Sequence, residues 1–232
     1  MTTDARSRSG NSEILVFAKS PRRGRVKTRL ARTMGEEAAL LLYRAFVADL
    51  LDALSDAAGR VAIFHHPADA EAAMREWLGD RWTYRPQRGA DLGDRMANAL
   101  ADSFAGGADR AMVVGGDLPD LPKSVVSAAF RGIETNGAVL GPARDGGYYL
   151  IGFSASAFQP AVFRDIPWGA ESVYRRTLAR MAESGLTPAA LPVWNDVDTE
   201  ADLATLNGDA APRTRALLAA LKGGVELAGE TG

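Results

Sequence analysis

The feature that most constrains this chain is the regular exchange of short uncharged runs with longer amphipathic stretches. Ile14-Leu-Val-Phe-Ala18, Val61-Ala-Ile-Phe64 and Ala111-Met-Val-Val114 carry no charge on either side of the pleat. Strands that are apolar on both faces are those covered by helices above and below. Between them lie helical patterns. Across residues 36–57, Leu42, Phe46, Val47, Leu50, Leu51 and Leu54 fall on one half of a helical wheel, and Arg44, Asp49, Asp52 and Ser55 on the other. Further helices are expected over 69–78, 91–104, 122–134, 171–183, 199–206 and 213–222, and further strands over 82–85, 138–140, 148–151 and 190–193. Thr199-Glu-Ala-Asp202 has the form of a capping box. The alternation predicts a three-layer α/β/α fold with a mostly parallel, mixed sheet. One domain is expected over 13–222, with frayed tails at 1–12 and 223–232.

Composition removes several classes of function. The 232 residues hold no cysteine, which excludes disulfide scaffolds, Cys-ligated zinc, iron–sulfur clusters and thiol nucleophiles. The net charge of −2 argues against a general nucleic-acid binder. The most apolar long stretch, 38–54, is broken by Arg44, Asp49 and Asp52, and no uncharged run reaches the roughly 20 residues of a spanning helix. No signal segment is evident, so the expected setting is the cytoplasm, without membrane insertion. Two adjacent histidines, His65 and His66, close the second strand and have no ligand spacing around them.

In a sheet of this kind ligands bind beyond the carboxyl ends of the strands. The first such loop, Lys19 to Arg32, holds seven cations in fourteen residues and no acid, while the rest of the chain has 20 cations against 29 acids. One basic patch on an otherwise acidic chain marks an anion site. Lys19, Arg25, Lys27 and Arg29 are the candidate phosphate ligands, with Arg able to chelate and Lys acting as a point charge. The loop is neither G-x-x-x-x-G-K-[ST] nor G-x-G-x-x-G, which disfavours a P-loop NTPase and a standard dinucleotide fold.

Two acidic motifs also follow strands. Asp117 comes after Gly115-Gly116, where the glycines leave room for a ligand, and Asp196 and Asp198 follow the last expected strand. Residues two apart in extended chain point the same way, so both can face one site, or one ligates while the other caps the next helix. Two carboxylates ~5 Å apart repel by about 3 kcal/mol at an effective dielectric of 20, a cost that a divalent cation removes. Asp117, Asp196 and Asp198 are therefore the candidate ligands for Mg²⁺ or Mn²⁺. Asp120 and Asp202 read as turn or cap residues. Asp145-Gly146-Gly147-Tyr148 offers close backbone approach and aromatic faces for a substrate, or else a plain hairpin turn. Gln87 both donates and accepts, as recognition of a base requires.

The combination of Phe17-Ala-Lys-Ser-Pro21, Gly24-Arg-Val-Lys-Thr-Arg-Leu30, Gly116-Asp-Leu-Pro119, Asp145-Gly-Gly-Tyr-Tyr-Leu-Ile-Gly152 and Asp196-Val-Asp-Thr199 resembles a bacterial family of glycosyltransferase A-type-like proteins, over about residues 13 to 207. That family is similar to the nucleotide-diphosphate-sugar transferase fold, which includes the 2-phospho-lactate and molybdenum-cofactor guanylyltransferases. The resemblance implies a nucleotide in the first half, a metal on Asp117, and a second acid, Asp196 or Asp198, completing the metal site. It implies base contacts around Gln87 and Gly93. The first loop departs from the L-x-G-G-x-G form of many sugar nucleotidyltransferases.

The expectation is a metal-dependent transferase with a nucleotide sugar or NTP and a small-molecule acceptor as its partners. Lys27, Asp117 and Asp145 are the expected catalytic residues; Lys19, Arg25, Arg29, Gln87, Gly93 and Gly116 join Lys27 on the nucleotide, and Asp145, Gly146, Gly147 and Tyr148 meet the substrate. Glycosyl transfer ranks ahead of nucleotidyl transfer. A non-catalytic nucleotide-binding regulator and a phosphatase are the rivals from other classes.

Overall fold

In a computed structural model, the structure describes residues 11–223 except 56, 58, 208 and 209. Of the expected tails at 1–12 and 223–232, residues 1–10 and 224–232 lie outside the described residues, as does part of the end of the 36–57 helix. The elements run β1 (Ser12–Lys19), α1 (Thr28–Met34), α2 (Glu36–Ser55), β2 (Arg60–His66), α3 (Glu71–Leu78), β3 (Thr83–Pro86), α4 (Leu92–Ala105), β4 (Arg110–Gly115), α5 (Lys123–Asn136), β5 (Ala138–Pro142), β6 (Tyr148–Ser154), a 3-10 turn at Pro160–Phe163, α6 (Val173–Glu183), β7 (Ala189–Ala190), α7 (Glu200–Leu203) and α8 (Pro212–Lys222). The seven strands form one sheet in the order β3-β2-β1-β4-β6-β5-β7. β6 is antiparallel to both of its neighbours, and the remaining pairings are parallel. The mixed α/β sheet is thus as the sequence pattern implies.

The period-2 alternation of β1 divides the core. Ile14 and Val16 pack on one face with Leu50, Leu51 and Leu54 of α2 and Val126, Ala129 and Ile133 of α5. Leu15, on the opposite side, packs with Met96, Ala99 and Leu100 of α4 and Val113, Ile151 and Phe153. Both clusters are essentially dry, and burial of this kind stabilises by about 25 cal/mol per Å² of apolar surface. No helix among the described residues is long and apolar enough to cross a membrane.

Five expectations are corrected. The second half of the basic loop is not a loop but α1, whose Leu30 is buried against Leu42, Phe46 and Val197. Its seven residues carry too little apolar pattern to stand out from the charges around them. The last strand is shorter than 190–193 and is reduced to Ala189–Ala190 plus a single bridge between Ala143 and Trp194. The stretch 199–206 is helical only over Glu200–Leu203, although its capping box forms as expected. Asp49 lies on the polar half of the α2 wheel but is only 4% exposed. Its carboxylate accepts hydrogen bonds from the Arg213 and Thr214 backbone N–H groups and from Thr214 Oγ1. A carboxylate at the amino end of α8 satisfies donors that the helix itself leaves open. At the amino end, β1 starts at Ser12, one residue inside the stretch expected to fray.

Candidate functional site

β1 is flanked by β2 on one side and β4 on the other, so consecutive connections leave it in opposite directions. The carboxyl ends of β1 and β4 form the crevice such a switch creates. Gly116 allows the close approach there. Its N–H donates to the Phe17 carbonyl at 3.0 Å, and a Cβ at this position would lie 3.1 Å from the same oxygen. Tyr43 from α2 clamps the end of β1: its hydroxyl donates to the Lys19 carbonyl and accepts from the Lys19 N–H.

Asp117, next in the chain, is joined to the carboxyl-terminal segment by its backbone, since the Val197 N–H donates to the Asp117 carbonyl at 3.0 Å. Asp120 braces the same junction. One carboxylate oxygen accepts from Trp194 Nε1, and the other from the Asn207 backbone and side chain. Asp120 is therefore a buried strut rather than a simple turn acid. Asp202 caps α7 and also accepts from the Asp198 N–H. Neither Asp196 nor Asp198 is needed as the cap, and both are left to face the crevice.

At the centre stands Lys27. It caps α1 in a left-handed conformation, φ 47° and ψ 45°, which costs a non-glycine residue about 1–2 kcal/mol. Its side chain, 3% exposed, reaches inward. Nζ lies 2.8 Å from Asp117 Oδ2 and 2.8 Å from Asp198 Oδ1. Arg29 Nη1 is 3.6 Å from Asp198 Oδ2. Residues 27, 117 and 198 thus meet on one cation, and that cation is the ammonium of the chain itself. Burial alone would lower the Lys27 pKa, but the two carboxylates outweigh it and hold it above the usual lysine value. Burial likewise pushes Asp198 up, and Lys27 and Arg29 overcome it, leaving Asp198 below the ordinary carboxylate range. Asp196 differs. Burial and the neighbouring Asp198 and Asp145 raise it to about 6, and Lys27 offsets only part of this.

Two adjoining cavities open from this centre and share Phe17, Leu92, Gly115, Asp117 and Arg29. The first, about 430 Å³, is lined by Lys19, Arg25, Lys27, Arg29, His66 and Arg95 beside Asp117 and Asp198. His66 registers the local field: burial, then Arg95 and Lys19, depress its pKa. The second, about 530 Å³, is walled by Met96, Val113, Tyr148, Ile151 and Trp168. Gly93 lies beneath Trp168, and a Cβ there would come within 2.6 Å of the indole. The Asp145 loop is both the hairpin between β5 and β6 and part of this second wall. Asp145 Oδ1 accepts from the Gly147 N–H. Gly146, at φ +88°, lies so close to the Glu171 carbonyl that a Cβ would overlap it.

The structure gathers Lys19, Arg25, Lys27, Arg29, Gly116 and Asp117 at the first cavity, and Asp145, Gly147, Tyr148 and Asp196 at the second. Gln87 lines the first cavity, but its side-chain amide donates to the Phe64 carbonyl. Gly93 serves the Trp168 contact. Sequence reasoning missed Tyr43, Phe17, Arg95, Glu171 and Trp168 as site residues. Phe17 and Tyr43 read as core, and Trp168 stands in an irregular segment with no periodicity. An arginine one turn inside a helix that opens from a polar loop was the available signal for Arg95.

A protein-family match covers residues 50–170 and carries the description "Uncharacterized protein conserved in bacteria (DUF2064)". Among solved structures, a candidate nucleotide-diphospho-sugar transferase from Desulfovibrio desulfuricans G20 is 40% identical, with a TM-score of 0.86 over 91% of this chain and 95% of that one. The inositol-1-phosphate CTP transferase from T. maritima shares the fold at 15% identity and a TM-score of 0.56, over 94% and 99% of the two chains. A CMP:2-keto-3-deoxy-manno-octonic acid synthetase complexed with CTP does so at 13% and 0.53, over 90% and 98%. No curated protein matches the sequence.

Proposed function

Since the chain belongs to the bacterial DUF2064 family and has the nucleotide-diphospho-sugar transferase fold, we propose that it is a cytoplasmic, metal-dependent transferase whose donor is a nucleotide-diphosphate sugar. The observation that carries this reading is the pair of adjoining cavities at the β1–β4 crevice, one cationic and one apolar, with Asp117 on their common wall. Lys19, Arg25, Lys27 and Arg29 neutralise the donor's phosphates. Tyr148 and the Asp145 loop meet the group being transferred or its acceptor.

The donor set suits Mg²⁺ or Mn²⁺. Lys27 holds Asp117 and Asp198 on one side of the crevice, its Nζ 2.8 Å from each, so a divalent ion would bind them beside the ammonium and not in its place. Among the described residues no three His, Cys, Asp or Glu side chains form a complete metal cage, and a divalent ion held by two carboxylates plus substrate phosphates is the usual arrangement for magnesium. In this reading Asp117 and Asp198, with Asp196 nearby, hold the ion, which supplies charge neutralisation at the phosphates. Lys27 keeps the two acids converged and contributes its own charge to the leaving phosphate. Such sites act by positioning and electrostatics.

A second reading, nucleotidyl transfer from an NTP with release of pyrophosphate, draws on the number of cations around the first cavity and on the CTP-using proteins among the fold neighbours. Thermal-shift screening of nucleotides and nucleotide sugars, with and without Mn²⁺, tests the donor assignment. A ligand at 100 times its Kd adds about 2.7 kcal/mol to stability. Release of nucleoside diphosphate identifies glycosyl transfer, and release of pyrophosphate nucleotidyl transfer. Tight binding with no turnover identifies a regulator. No stabilisation by any nucleotide defeats the donor assignment.

A further inference from the structure

The second cavity carries information about the other substrate. Its walls are apolar and aromatic: Tyr148 and Trp168 meet edge to face at 6.3 Å, and Trp168 is fixed by its seat on Gly93. The charged groups lining it among the described residues are Asp117, Asp145, Glu171 and Asp196, against the single guanidinium of Arg29. Arg29 is itself turned toward Asp198. The loops bearing Asp145 and Glu171 are locked together, because the Tyr174 N–H donates to the Gly146 carbonyl at 2.8 Å and Gly146 abuts Glu171. The backbone segments that carry these acids are therefore held in place. With Asp117 and Asp196 beside the metal and Arg29 turned to Asp198, an entering phosphate or carboxylate still meets the carboxylates of Asp145 and Glu171 as like charge. A hydroxyl finds acceptors, and the nonpolar face of a ring finds aromatic surface.

Resting on the donor assignment above, we infer that the acceptor bound in this cavity is an uncharged, hydroxyl-bearing molecule with an apolar face, and that phosphorylated and carboxylated acceptors are excluded. The acceptor class then favours glycosyl over nucleotidyl transfer. The acceptor oxygen bonds to the anomeric carbon of the donor. The bond from that carbon to the diphosphate oxygen breaks, and its electron pair leaves with the nucleoside diphosphate. The hydroxyl proton passes to the Asp145 carboxylate.

The test uses the full chain with a nucleoside diphosphate and Mn²⁺ already bound. Matched probes are titrated by saturation-transfer NMR: simple hexoses and polyols, each beside its phosphate ester and its uronic or aldonic acid. Neutral members are expected to bind at least tenfold more tightly than their anionic partners. In the Asp145→Asn/Glu171→Gln double variant the ratio should fall below threefold, with nucleoside diphosphate affinity unchanged. Anionic members binding as well as or better than neutral ones, or no neutral member binding at all, overturns the inference. Failure of the nucleoside diphosphate to bind in the first place is a separate result, and it counts against the donor assignment.

Discussion

The two cavities share Asp117 but are built in opposite ways. The cationic one is made from the ends of parallel strands and from α1, whose exposed charges surround one buried lysine paired with two half-buried carboxylates. The apolar one is made where the sheet turns antiparallel, from β6, the β5–β6 hairpin and the irregular segment before α6. In the first, position is set by charge; in the second, by close packing at Gly93 and Gly146. Substitutions should therefore separate the two. Changes to charge around Lys27 should act on the donor and on chemistry, and changes of volume at Gly93 should act on the second substrate.

The largest effect is expected from Asp117→Ala, which touches both sides. Turnover should fall about 10³-fold, roughly 4 kcal/mol of transition-state stabilisation, as read by steady-state kinetics, whereas Asp145→Ala, which removes only the base, should cost nearer ~10²-fold. Equal losses for the two would erase the distinction between the cavities. Next comes Lys27→Met. Loss of the ammonium leaves Asp117 and Asp198 facing each other; because both are about a third exposed, water screens part of the cost, and urea unfolding should show a loss of about 2 kcal/mol. The loss should persist across neutral pH. Asp198 is held low, so its share is present above the unfolded carboxylate pKa and fades as pH falls through its folded value; Lys27 is held high, so its share is lost only as pH rises past the usual lysine range.

Asp196→Asn should do the reverse. Burial raises the folded pKa to about 6, above the ordinary carboxylate range, so the ionised carboxylate opposes folding at neutral pH. The variant should be more stable than wild type by about 2 kcal/mol at pH 8, with the difference shrinking as pH falls below 6 and vanishing below 4. Denaturation at pH 4 and pH 8 gives the comparison. Gly93→Ala is expected to cost about 1–3 kcal/mol of strain against Trp168 and the Phe163 carbonyl. Its value is selectivity: acceptor affinity should drop while donor affinity holds, and a parallel loss of both would show that the cavities are not independently built.

The uneven legibility of the sequence follows the same division. The strand–helix alternation, the basic turn after β1 and the acids ending β4 and preceding α7 all announce themselves locally, because strand ends and charge clusters are short-range signals. That Asp117 and Asp198 share Lys27 depends on a backbone bond between Val197 and Asp117 and on the Asp120 strut, contacts that no local pattern encodes. Asp49 stands on the polar half of its wheel and yet is buried for the same reason: its partner is α8, over 160 residues away in the chain. The second cavity is least legible, since Trp168 and Glu171 come from irregular chain whose placement is set by two glycines.

The most direct measurement is a calorimetric titration of nucleoside diphosphates, with and without Mn²⁺, into wild type and Asp117→Ala. Wild type should bind at least one of them, at least tenfold more tightly with the ion, and the variant should lose that gain. Equal enhancement by Mn²⁺ in both proteins, or no binding to wild type under either condition, would contradict this expectation.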